Sequence, residues 1–151
     1  MVSNQIDAKL MEFIQRQPFF FIATSSDIGD CDASFRGRNS GAIERSELLL
    51  KVMSLTELIF PDFAGNGFYN SLGNIHLNPH IGMLFMDFQQ QERARINGKA
   101  FIDEPDSETA QYWPQALAII RVEVERAYYN CTARMPKMKM FTNSNKGGRR
   151  R

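Results

Sequence analysis

Arg93-Ala94-Arg95-Ile96-Asn97-Gly98-Lys99-Ala100-Phe101-Ile102 alternates almost without a break. Ala94, Ile96, Gly98, Ala100 and Ile102 should face one way, and Arg93, Arg95, Asn97 and Lys99 the other. A period of two with small and apolar residues on one side marks a strand with one buried and one wetter face. The neighbouring segments fit the same sheet. Upstream, His80 to Phe88 is an apolar strand that turns back through Gln89 to Glu92. Downstream, Asp106 can cap a brief helix through Trp113, stopped by Pro114, before a long final strand from Leu117 to Tyr129.

The earlier part of the chain adds strands of the same kind. Ile6, Leu10, Phe13 and Ile14 recur at helical spacing, so a short amphipathic helix is expected to end before Pro18. Phe19 to Thr24 is a buried strand, Ser26 to Asp30 a hairpin turn, and Cys31 to Arg36 the returning strand, with a polar loop from Gly37 to Gly41. Leu48 to Met53 reads as a strand, with a helix as the alternative. Glu57 to Phe60 is a strand expected to stop at Pro61. Asp62 to Gly67 is loop, and Phe68, Leu72 and Ile75 give helical spacing up to an exit at Pro79. Six or so antiparallel strands with a few short helices predict a mainly β protein closed as a barrel.

Composition bounds the rest. A length of 151 residues suits one domain. Residues 1–136 are expected to form it, with 137–151 a basic, flexible tail. Seven of the eighteen Lys and Arg lie in 134–151 with no acid, so that stretch carries about +7 and residues 1–133 about −6. Stacking residues are nearly absent beyond Phe141, which favours a solvated end over a nucleic-acid arm. Cys31 and Cys131 make no disulfide framework. No apolar run is long enough to cross a membrane, so a cytoplasmic location is expected.

Catalytic motifs are scarce. There is no G-x-S-x-G, no P-loop and no dinucleotide fingerprint. His76 and His80 are four apart, but Pro79 between them breaks the helix that would let them share a metal, and no metal site is expected. The segment Phe60-Pro61-Asp62-Phe63-Ala64-Gly65-Asn66-Gly67-Phe68-Tyr69-Asn70-Ser71-Leu72-Gly73-Asn74-Ile75 is richer. It leads a loop with many hydrogen-bonding groups into a helix, whose start offers unpaired N–H groups and a positive dipole end. These residues alone leave two readings open, a phosphate site and an ordinary capped glycine loop.

Several short motifs in order carry a resemblance. Phe21-Ile22-Ala23-Thr24-Ser25, Gly29 to Gly37, the segment above, Asn78 to Phe88, Ile96-Asn97-Gly98-Lys99-Ala100 and, more weakly, Tyr129-Asn130-Cys131 together resemble the pyridoxamine 5'-phosphate oxidase-like FMN-binding split-barrel family. The likeness runs from residue 17 to about 136. It implies a six-stranded antiparallel split β-barrel that dimerises and holds FMN between subunits. The Phe and Met surplus, more than a small barrel interior can bury, agrees with dimerisation.

The resemblance also implies site residues. Phe60, Pro61 and Asp62 would lie along the isoalloxazine ring. Asn66, Asn70, Ser71 and Asn74 would grip ribityl and phosphate, and Ser34 and Arg36 match a Ser-x-Arg-Gly element beside the phosphate. Arg93, five before the strand glycine, would sit near the flavin pyrimidine edge. An arginine and amide donors suit a phosphate dianion, and a cation near that edge would stabilise anionic reduced flavin. The implied activity is an FMN-dependent oxidoreductase of unknown substrate. Alternatives are a non-catalytic electron carrier or sensor, or a split barrel for haem or a deazaflavin. Two departures count against oxidation of pyridoxamine phosphate itself. No Lys or Arg occurs between Lys51 and Arg93, and a basic tail replaces the oxidase's substrate-binding C-terminal segment.

Overall fold

A computed structural model describes residues 2–37, 48–63, 69–131 and 134–141. Its chain order is β1 (Val2–Ser3), α1 (Ala8–Arg16), β2 (Phe19–Ser25), β3 (Cys31–Gly37), β4 (Lys51–Ser54), β5 (Glu57–Asp62), α2 (Tyr69–Leu77), β6 (His80–Asp87), β7 (Glu92–Asp103), α3 (Ser107–Ala110) and β8 (Ala118–Cys131). All the strand pairs are antiparallel, in the order β3-β2-β6-β7-β8-β5-β4, with β1 added on β8. The protein is a mainly β split barrel.

The inner face is built by strand parity. Phe20 and Ile22 of β2, Phe85 of β6, Ala94 and Ile96 of β7, and Ile120 and Val122 of β8 are all buried. Phe20 packs edge-on to Phe60 and tilted against Phe85, with ring centroids 5.5 and 5.3 Å away. Each such phenylalanine stabilises the fold by about 1.5–3 kcal/mol through burial. Helix α1 adds Leu10, Phe13 and Ile14 to this core. Asp7 caps it by accepting the Leu10 N–H at 2.8 Å, and Arg16 in the last turn complements the negative end of the dipole.

The alternation of residues 93–102 becomes β7, paired with β8 along its length and with β6 as far as Lys99. The register with β8 shifts between Asn97 and Gly98. A β-carbon at Gly98 would run into the Glu123 carbonyl oxygen, so the close backbone approach at this bulge requires glycine. Ile102 keeps its parity but is 40 % exposed, because the strand has by then run past the covered end of the barrel.

Several boundaries differ from expectation. Among the described residues the sheet has eight strands where six or so were expected, and the two-residue β1 is the one that no expected strand covers. Leu48 to Met53 does supply a strand, but only from Lys51. Leu50 is fully buried, and Leu48 accepts the Trp113 indole N–H at 2.6 Å. Strand β5 does not stop at Pro61. Pro61 and Asp62 still pair with Ile119 and Ala118. They lie beyond the part of β5 that pairs with β4, so the missing proline N–H costs no ladder bond there. Helix α3 ends at Ala110, three residues before Trp113. The polar loop expected at Gly37 to Gly41 lies, after Gly37, outside the described residues, as does most of the loop after Asp62.

Candidate functional site

Two elements meet at one corner of the barrel, the inner face of β3 and the end of β5, with α2 packed nearby against β2 and β3. On β3, Cys31, Ala33 and Phe35 are exposed, whereas Asp32 and Ser34 are half-buried and Arg36 is buried. Ser34 and Arg36 therefore share the face that looks toward β5. The Arg36 guanidinium crosses to that strand, donating from Nη1 to the Pro61 carbonyl at 2.8 Å. Its Nη2 lies 3.4 Å from Oδ1 of Asp62, and the group sits 5.3 Å from the Phe60 ring centroid. Both charged side chains are more than nine-tenths buried.

Burial sets the electrostatics of this pair. Loss of solvent pulls Arg36 down to about 9, against the opposing pull of Asp62, so it is still a cation at neutral pH. Loss of solvent likewise pushes the Asp62 carboxyl above the usual carboxylate range, against the stabilising charge of Arg36. The 3.4 Å separation is long for a charge-assisted hydrogen bond, which favours about 2.7–2.9 Å.

Helix α2 is seated by two asparagines. Asn74 Nδ2 donates to the Thr24 hydroxyl at 3.0 Å, and Asn78 Nδ2 to the Ser26 carbonyl at 3.2 Å. Four residues of helix rise about 6 Å and two of strand about 6.6 Å, so α2 runs alongside β2 in the same direction. Five residues back from Asn74, at about 7.5 Å, the helix start at Tyr69 comes level with Ile22. The cross-strand partner of Ile22 is Ser34. By this rise the first-turn N–H groups of α2, which lack intrahelical acceptors, fall on the Ser34 side of β2.

The expected site residues are partly gathered. Arg36, Pro61 and Asp62 are in contact, with Ser34 on the same face of β3 as Arg36; the side chains of Asn70 and Ser71 lie outside the described residues, as does Asn66. Phe60 forms the fully buried floor below Arg36, and Asn74 is engaged with Thr24. Arg93 stands apart. Its neighbour Ala94 points into the core, so Arg93 projects from the outer face of β7, opposite Met86 on β6 and Asn130 on β8. Thr24 was missed by sequence reasoning, although a polar residue in phase with Phe20 and Ile22 was the available signal.

A second concavity, about 430 Å³, lies at the edge of the outer face between Phe19, Met86, Phe88, Met138 and Met140, with Arg16 at its rim. Met138 donates its N–H to the Phe88 carbonyl at 3.1 Å, so the segment expected to begin the tail is tied to the barrel here. Arg16 bridges Glu92 and Asp87 at 3.3 and 3.7 Å. Cys31 is an exposed free thiol. Among the described residues, no helix is long and apolar enough to cross a membrane.

These features define an antiparallel split barrel with an anion-suited corner beside one helix. A family model described as pyridoxamine 5'-phosphate oxidase matches residues 6–131, and the chain belongs to that family. No curated protein matches the chain. Among solved structures it is similar to HupZ of Group A Streptococcus, with a TM-score of 0.64 at 18% identity, covering 84% of this chain and 95% of that one. It is also similar to General Stress Protein 26 from Bacillus anthracis, with a TM-score of 0.54 at 15% identity over 80% and 90% of the two chains. HutZ, the heme storage protein from Vibrio cholerae, matches with a TM-score of 0.50 at 12% identity over 82% and 94%. At these identities the likenesses establish a shared fold.

Proposed function

We propose that the chain binds FMN between two copies of itself and works as an FMN-dependent oxidoreductase. The observation that carries this reading is the buried Arg36 guanidinium with Ser34 on the same face of β3, on the side of β2 toward which helical rise brings the first turn of α2. A hydroxyl, a guanidinium and unpaired amide N–H groups are the donor set that a phosphate monoester takes. Bound FMN supplies hydride exchange at its own N5, so the chain needs to bind and orient more than to donate protons. The lack of a recognisable catalytic triad or dyad motif in the sequence fits that division of labour.

Two copies would complete the site. The outer face carries Phe19, Phe21 and Phe35 as a cluster with centroids 5.7–5.8 Å apart, and Phe35 is 60 % exposed. An uncovered aromatic cluster of this kind suits an interface between copies. Arg93 projects from the same outer face, so the partner's Arg93 is the one that could approach a flavin held at this corner. We read the location as cytoplasmic, in keeping with reduced-flavin chemistry.

The test is an absorbance spectrum of the purified protein with a titration of FMN. Paired flavin bands on the protein, bleached by NADH or NADPH, are expected. A colourless protein that leaves added FMN unperturbed would sink the reading, and bound FMN that neither nucleotide reduces would point to a carrier or sensor. Haem binding is a second reading, favoured by the likeness to the heme storage protein HutZ and by the exposed His76 and His80 near the end of α2 and the start of β6. It predicts a Soret band that shifts when these histidines are replaced.

A further inference from the structure

We propose that Asp62 is a built-in competitor for the ligand phosphate: it holds Arg36 in the ligand-free chain and must release it when a phosphate-bearing flavin binds. This inference rests on the flavin reading above and adds to it a device that sets how strongly the phosphate counts.

The geometry makes the two anions rivals for one cation. Arg36 is anchored by Nη1 on the Pro61 carbonyl, which is backbone and stays in place. Its Nη2 faces Asp62 at 3.4 Å, a loose contact that a stronger acceptor can replace without moving the anchor. A phosphate at the start of α2 would lie beside Ser34 and within reach of that same Nη2. Asp62 would then stand against a dianion in a poorly solvated corner, and like charges held there repel strongly. No covalent step is involved; one acceptor replaces another on the same donor.

The experiment compares FMN with riboflavin, which shares the ring and ribityl chain but lacks the phosphate. Each is titrated into the full-length protein and into Asp62→Asn, with thermal unfolding of both proteins recorded first. Asp62→Asn keeps an oxygen facing Arg36 but removes the rival charge, and Asp62→Ser serves if the amide variant does not fold. The expected result is FMN binding about tenfold tighter than in the parent chain, with riboflavin affinity unchanged, since the lost repulsion acts on the phosphate alone. Equal FMN affinity in parent and variant, or an equal gain for both ligands, overturns the competitor role and leaves the flavin reading standing. Failure of the parent and both variants to bind either flavin overturns both.

Discussion

Arg36 and Arg93 lie on strands of one sheet, yet they occupy opposite environments. Arg36 is in phase with Phe20 and the barrel interior, and is clasped by a carboxylate and a carbonyl. Arg93 is in phase with Arg95 and Asn97, on the outer surface, where Arg95 lies 4.6 Å from the Tyr128 ring centroid. The inner corner is charged but closed. The outer face is apolar at Phe19, Phe21 and Phe35, cationic at Arg93 and Arg95, and open to solvent. Strand parity thus decides which arginine is buried in the fold and which is left on the surface.

The comparison breaks first at Arg36. Arg36→Met leaves the Asp62 carboxylate buried without its cation and should cost about 3–5 kcal/mol, read as a fall in the urea midpoint. Adding Asp62→Leu should recover most of that loss, because a buried pair replaced by apolar groups is often neutral. Recovery that fails would mean that the pair does more than balance its own charges.

The outer face should respond in assembly instead of stability. Phe35→Glu is expected to leave the urea midpoint within about 0.5 kcal/mol, as for other surface changes, while converting a dimer to a monomer by light scattering and weakening FMN binding. Arg93→Ala should keep the dimer and lose only flavin affinity. If both variants leave assembly and affinity untouched, the contrast between the two faces loses its functional meaning.

The smallest effect is in pH dependence. The Asp62 carboxyl titrates higher in the folded chain than in the unfolded one. Over the interval above about pH 4 the folded state therefore holds a proton that the unfolded chain has released, and stability falls as pH rises through it. Asp62→Asn removes this slope, so the difference between variant and parent should move in the variant's favour as pH rises. Urea midpoints measured from acid to neutral pH would show it.

Most of the sheet was legible because its rule is local. Parity in residues 93–102 gave β7, and the apolar runs gave β2 and β6 nearly to their ends. Proline misled at position 61, since only knowledge of which neighbour pairs there reveals that no N–H is needed. The two-residue β1 is too short for any periodicity, and the register shift at Gly98 depends on β8, which follows much later in the chain. At the site, Ser34, Arg36 and the end of β5 were singled out through ordered motifs. The clasp between Arg36 and Asp62 was not, because nothing in residues 26 apart announces a contact.

That clasp has a consequence for motion. Among the described residues β3 pairs as a strand with β2 and not with β5. The seam between them is fastened by side chains, so it can part without unzipping a single rung of the sheet. A barrel closed in this way has a door as well as walls. Parting the seam costs the Arg36 contacts to Pro61 and Asp62, while β7 and β8 stay laced behind it.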